Sequence, residues 1–256
     1  VYAYAKLLAN GEIEKDEKVN VVVPTGNFGN ILAAYFAKQM GVPFGKLICA
    51  SNDNKVLYDF FRTGTYDKNR EFILTTSPSM DILVSSNLER LLYLSCGRDA
   101  AKTKELMEQL SKNGKYEITP EMKEFMKDFS AGYADMEENA KEIKKVFDDT
   151  GYLIDTHTGV AAAVYEQYKA KTGDTTKTLI ASTASPFKFS ASVLDALGKK
   201  PADGTDEYDM VELLHEVSSM EIPQSLAALK TKPRRFDGSI DKSEMQQFVL
   251  QELHLS

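Results

Sequence analysis

The stretch Pro24-Thr25-Gly26-Asn27-Phe28-Gly29-Asn30 is the part of this sequence best suited to chemistry. Its two glycines stand at a Gly-x-x-Gly spacing. An apolar β-branched run, Val19-Asn20-Val21-Val22-Val23, precedes them, and residues of helical periodicity, Ile31 to Met40, follow. A turn of this kind brings backbone N–H groups together at a helix N-terminus, where orphan amides and the helix dipole favour an anion such as phosphate. Asn27 and Asn30 tolerate unusual backbone angles and bring amide donors. The segment lacks the Gly-Lys-Ser/Thr ending of a Walker A loop and is not the dinucleotide G-x-G-x-x-G. Gly and Asn also make plain tight turns. Placement at the carboxyl end of a predicted buried strand favours a ligand site over a plain turn.

Ser182-Thr183-Ala184-Ser185-Pro186 follows another apolar run, Lys177-Thr178-Leu179-Ile180-Ala181. Its hydroxyls fit either a polar ligand atom or the cap of the next helix, and spacing alone favours the cap. His157, between two threonines at a predicted helix start, reads as a hydrogen-bonded neighbour of a cap. His215 and His254 fall on amphipathic stretches and read as surface residues. Lys141, Lys144 and Lys145 alternate with Glu138 and Glu142, the pattern of a solvated face. Neither Cys49 nor Cys96 has a histidine beside it, so both read as packing residues.

The elements that must position these groups follow a strand-turn-helix-strand pattern. Lys46-Leu47-Ile48-Cys49-Ala50 is the second strand and Val56 to Arg62 a short helix, giving a βαβ unit and a parallel sheet. Helical periodicity marks Ser86 to Leu94, Ala100 to Leu110, Pro120 to Phe129 and Glu137 to Phe147. Asp155-Thr156-His157-Thr158-Gly159 caps a helix from Val160 to Tyr168, and another lies near Ser190 to Leu197. From Asp209 onward short helices are separated by Pro223, Pro233 and Gly238. The 256 residues carry 31 Lys and Arg against 38 Asp and Glu, a net charge of −7, which offers no broad basic face for nucleic acid. No apolar run reaches the roughly 18–20 residues of a membrane span, and three histidines with two cysteines leave no zinc-ligand spacing. With no secretory pattern at the start, the cysteines read as reduced cytoplasmic thiols. The first helical turn at Val1 has no capping residue ahead of it. That predicts a chain cut from something longer, with a frayed first turn as the alternative.

Several of these segments, taken in order, resemble threonine synthase. They are Pro24 to Asn30 with Ala37-Lys38-Gln39-Met40-Gly41; Thr76-Ser77-Pro78-Ser79-Met80-Asp81 through Arg90; Asp155 to Ala161; and Ser182 to Phe189. The resemblance covers most of residues 1–200 and continues more loosely beyond. It implies a pyridoxal-phosphate lyase of the tryptophan-synthase-β-like fold. That is an α/β protein with part of a doubly wound, mostly parallel sheet over residues 1–200, a helical insert near residues 99–150, and a helical extension over 201–256. It implies conversion of O-phospho-L-homoserine and water to L-threonine and phosphate, in threonine biosynthesis. By the same resemblance Gly26, Asn27, Phe28, Gly29 and Asn30 cradle the phosphate of pyridoxal 5′-phosphate. The hydroxyl of Thr183, or failing that Ser182, meets the pyridine nitrogen. A neutral hydroxyl need not hold that nitrogen protonated, so the cofactor is a tempered electron sink. Ser77, Asp81, His157 and Thr158 are expected to line the substrate cleft.

The departure from the family pattern lies at its Schiff-base lysine, which sits N-terminal to every motif above. No residue of this sequence matches that segment, and Lys38, Lys55 and Lys188 lie where the family does not place it. The expected reading is therefore the C-terminal part of a threonine synthase, with its own N-terminal part as partner. Two alternatives stand: a non-catalytic remnant that binds the cofactor or phosphate, and a related β-replacing or deaminating pyridoxal enzyme.

Overall fold

A strand that is apolar on both sides needs cover on both faces of its sheet, and the Val19–Val23 run receives it. The computed structural model describes residues 1–235 and 237–255. After α1 (Tyr2–Ala9), the run forms β1 (Val19–Pro24), buried throughout. α2 (Gly29–Gln39) leads to β2 (Phe44–Ser51), parallel to β1. Next come α3 (Val56–Thr63), β3 (Thr65–Asp67), α4 (Leu88–Ser95), α5 (Ala100–Asn113), β4 (Lys115–Glu117) and α6 (Pro120–Phe125). β5 (Phe129–Tyr133) lies parallel beside β2. α7 (Met136–Thr150) and α8 (Thr156–Thr172) then lead to β6 (Thr178–Ile180), which pairs parallel with β1 on its other side. The main sheet runs β5-β2-β1-β6, while β3 and β4 form a separate antiparallel pair.

Alternate strand residues feed two cores, which is the signature of a doubly wound sheet. Val19, Val21, Val23, Leu47 and Cys49 pack with Ile31, Leu32 and Tyr35 of α2 and Phe60 of α3. Val22, Ile48 and Ala50 point the other way, onto Val160, Ala161 and Val164 of α8. Each such apolar side chain taken from water contributes about 1.5–3 kcal/mol, so both helical layers are fixed to the sheet by burial. Gly132 on β5 lets α8 come close, because a Cβ there would stand 2.6 Å from Cγ1 of Val164.

Residues 99–150 are not wholly helical. They carry β4 and the sheet strand β5, and the helix expected from Pro120 ends at Phe125, so that Phe129 opens a strand. The first compact unit, Val1–Met220, continues past residue 200, taking in α9 (Ser190–Ala196) and α10 (Glu207–Ser218). The second, Glu221–Ser256, contains α11 (Gln224–Ala227) and α12 (Met245–Glu252). Among the described residues, no helix is long and apolar enough to cross a membrane.

Candidate active site

β1 and β6 are neighbours and run the same way, so the segments leaving their carboxyl ends emerge side by side. That end of a parallel sheet is where ligands sit. Pro24 to Asn30 and Thr183 to Lys188 meet there, around a cleft of about 290 Å³. Ser79, Met80, Asn87 and His157 complete its walls.

The loop after β1 is held by its own backbone and by a brace. Thr25 N–H donates to the Ala50 carbonyl at 2.8 Å, and its hydroxyl to the Val23 carbonyl at 2.7 Å. Ser85 Oγ donates to the Gly26 carbonyl at 2.8 Å, and Asn87 Nδ2 to the Asn27 carbonyl at 2.8 Å. The Asn27 side-chain oxygen accepts from both the N–H and the hydroxyl of Ser86, at 2.7 and 2.8 Å. The Asn27 carboxamide oxygen is therefore committed to the brace. Gly26 is required by close approach: a Cβ there would lie 2.9 Å from the Ser79 carbonyl oxygen and 3.0 Å from Met80 Cα.

The left-handed residue of the loop is Phe28, with φ 63°, and not a glycine. That conformation costs a non-glycine residue about 1–2 kcal/mol. Burial offsets it, since the ring is 1 % exposed and packs on Phe61 and Phe129 with centroids 5.9 and 5.7 Å away. Gly29 and Asn30, the first residues of α2, line the cleft, and no side chain caps that helix. Phe28→Ala is expected to lower stability by about 3–5 kcal/mol, the usual range for a buried phenylalanine. Phe28→Gly should be no worse, because glycine relieves the left-handed strain. Urea midpoints of the two variants check this, and a clearly less stable Phe28→Gly would remove strain from the explanation.

His157 enters from α8. Asp155, fully buried, caps that helix by accepting the His157 N–H at 2.8 Å. It also faces His157 Nδ1 at 2.9 Å and accepts from the Thr158 hydroxyl. On the other side of the ring, Nε2 accepts the Ser79 N–H at 3.2 Å. An accepting Nε2 places the proton on Nδ1, so the imidazole is neutral and donates to Asp155. Burial pushes the Asp155 carboxyl up, but the hydrogen bonds from His157 and Thr158 outweigh it and hold the group below its ordinary value. The expected cap is thus confirmed, and His157 is in addition a wall of the cleft.

Ser77 and Asp81 are brought close to the cleft but do not line it. Asp81 lies behind it, accepting from Asn52 Nδ2 at 2.7 Å, Asn54 Nδ2 at 3.1 Å, and both the hydroxyl and N–H of Thr75 at 2.7 and 2.8 Å. Ser77, 1 % exposed, accepts from Asn52 at 3.1 Å. Their visible work is to fix the turn that presents Ser79. Thr158 is likewise buried, bonded to Asp155 and, at 3.3 Å, to Ser182. Thr183 faces the cleft and Ser182 does not line it. Ser79, Asn87 and Lys188 also line the cleft, although residue type alone does not single them out; each stands inside a family-like segment, and that position is the signal that finds them. Burial pushes the Cys49 thiol up to about 12, consistent with a packing role. A larger groove of about 710 Å³ among Phe36, Tyr93, Leu94 and Met107 is lined mainly by apolar atoms and lies away from these groups.

The sequence profile described as "Threonine synthase, C-terminal" matches residues 158–249. The crystal structure of threonine synthase from yeast superposes with a TM-score of 0.81 at 32 % identity, covering all of this chain and 50 % of that one. The chain belongs to the threonine synthase family. A pyridoxal-phosphate-bound threonine synthase from Brucella melitensis is 37 % identical with a TM-score of 0.71, over 82 % of this chain and 44 % of that chain. Human threonine synthase-like 1 is 37 % identical over 257 residues, 96 % of this chain and 34 % of the relative. The chain therefore spans a third to a half of the length of the relatives it matches. Threonine synthase relatedness and the doubly wound, mostly parallel fold expected from the motifs both hold.

Proposed function

We propose that the cleft binds pyridoxal 5′-phosphate and that the full protein is a threonine synthase, forming L-threonine and phosphate from O-phospho-L-homoserine and water. The observation that carries this is the meeting, at one sheet end, of a glycine-bearing loop, an uncapped helix start and the Thr183 hydroxyl. The residues fit the group. Gly26 lets the loop close up on the Ser79 turn, the amides at the start of α2 suit a phosphate, and among the described residues no carboxylate lines the cleft to repel one. Bound there, the cofactor supplies an electron sink for carbanion chemistry on an amino acid.

This chain's residues then have distinct tasks. The Gly26 to Asn30 backbone binds the phosphate, and Thr183 orients the ring through its nitrogen. His157, fixed by Asp155, holds the Ser79 turn against the loop and keeps water from that wall. The lysine that the reaction needs comes from the part of the family's length that these residues do not span. Catalysis is accordingly assigned to the full protein, and no residue here is assigned the lysine's role. A cytoplasmic location goes with this reading.

The test is to give the full protein, loaded with cofactor, O-phospho-L-homoserine and to measure phosphate and threonine. Equal amounts of both are expected. Cofactor binding with no phosphate release would favour the binding remnant, and deamination of serine without action on phosphohomoserine would favour a related pyridoxal enzyme.

A further inference from the structure

Of the three lysines weighed above, Lys38, Lys55 and Lys188, two are already committed. Lys38 pairs with Asp128 at 2.8 Å and donates to the Gly45 carbonyl at 2.6 Å. Lys55 lies over the Tyr133 ring, 3.9 Å from its centroid. Lys188 is different. Its side chain is exposed in the cleft, and among the described residues its ammonium has neither a carboxylate partner nor a hydrogen bond.

The base of Lys188 is nonetheless fixed. It belongs to a 3₁₀ turn, Pro186–Phe189, whose Pro186 and Phe187 are buried. Its N–H donates to the Ser185 carbonyl at 3.0 Å, and Ser190 Oγ closes the turn on the Phe187 carbonyl at 2.9 Å. The ammonium sits 5.5 Å from the centroid of the Phe189 ring, which leans on the His157 ring at 4.7 Å. A placed stem whose ammonium rests only at the edge of a ring's reach, in a cleft that no carboxylate among the described residues lines, is a counter-charge awaiting an anion. The amides at the start of α2 already serve one phosphate. A second phosphate entering the same 290 Å³ would meet repulsion from the first unless it had a positive group of its own.

We infer that Lys188 pairs with the phosphate of the substrate, as a binding residue separate from the amide cradle that holds the cofactor. This rests on the pyridoxal-phosphate reading above and extends it by dividing the two phosphates between two walls. Lys188 then holds the anion in the substrate and again as free product.

The test uses the full protein loaded with cofactor, with inorganic phosphate as the probe in isothermal titration. Lys188→Ala is expected to weaken phosphate binding about tenfold, the effect of removing one charge-assisted hydrogen bond. Lys188→Arg should recover most of it. Affinity for pyridoxal phosphate, titrated separately, should stay within about twofold of the wild type, since an ammonium bonded to the cofactor would make the change about tenfold. KM for O-phospho-L-homoserine should rise more than kcat falls. Unchanged phosphate binding in Lys188→Ala would overturn the inference. So would a loss of cofactor affinity with phosphate binding intact, which would put the ammonium on the cofactor instead. Phosphate binding needs no turnover. Wild-type protein inert toward phosphohomoserine would contradict the activity reading, whereas Lys188-dependent phosphate binding would still support this one.

Discussion

Gly26→Val is expected to reduce affinity for pyridoxal phosphate about a hundredfold, with activity falling in step, and Gly26→Ala about tenfold. The new Cβ would meet backbone atoms, the Ser79 carbonyl oxygen at 2.9 Å and Met80 Cα at 3.0 Å. Those atoms cannot swing aside as a flexible side chain would. Ser79 N–H is held by His157, and Asp81, at the end of the same turn, is tied to Asn52, Asn54 and Thr75. The β1–α2 loop has to move instead, and with it the amides that face the cleft. Gly29 supplies the contrast. It lies in the helix without a positive φ, and its nearest neighbour to an added Cβ is Asn87 Nδ2 at 3.6 Å. Gly29→Ala should therefore leave cofactor affinity within about threefold, because a single methyl with room around it costs little. Absorbance titration of the three variants measures this. Equal losses at both positions would mean that the loop does not approach Ser79 as described.

Asp155→Ala is expected to lower the stability of the full protein by about 3–5 kcal/mol, since each buried donor left without a partner costs about 1–3 kcal/mol. Three donors lose their acceptor at once: His157 N–H, His157 Nδ1–H and the Thr158 hydroxyl. The Asp155 carboxyl is held below its ordinary value in the fold. Its contribution is thus complete above the unfolded carboxyl value of about 4 and is lost as pH falls through the lower folded value. Wild-type protein should lose stability more steeply than Asp155→Ala on acidification through that window. Asp155→Asn should fall between the two at neutral pH. Its amide keeps an acceptor oxygen, and turning the NH2 toward His157 would move the ring proton to Nε2, against the Ser79 N–H. Denaturant midpoints at pH 7 and below pH 4 check both points, and parallel pH curves for wild type and alanine variant would show that Asp155 is not ionised in the fold.

Much of this architecture could be read from residue order. β1, β2 and β6 are apolar runs bounded by turn residues, and Asp155 with the glycine after Thr172 frames α8 as cap and stop. β5 could not be read. Phe129-Ser-Ala-Gly-Tyr is short and rich in small residues, and Gly132 answers to the approach of α8, which comes from distant sequence. The β3–β4 pair was hidden for the same reason, since Tyr66 and Tyr116 stack at 5.2 Å only after the chain has folded back. At the site, the loop was legible because it follows a buried strand, whereas Thr183 came from the family resemblance, since spacing alone favoured a cap and the pairing of β1 with β6 joins distant segments. The division of labour around them was not. Ser77 and Asp81 have the residue types of a cleft wall, but the donors of Asn52, Asn54 and Thr75 draw them behind it.

The central claim is that the loop after β1 holds a phosphate while Thr183 faces the ring of the same cofactor. A crystal structure of the full protein with pyridoxal 5′-phosphate tests it most directly. Phosphate oxygens are expected within hydrogen-bonding distance of backbone N–H groups between Gly26 and Asn30, with the pyridine nitrogen at the Thr183 hydroxyl. A cofactor phosphate seated elsewhere, with that loop facing only solvent, would contradict it.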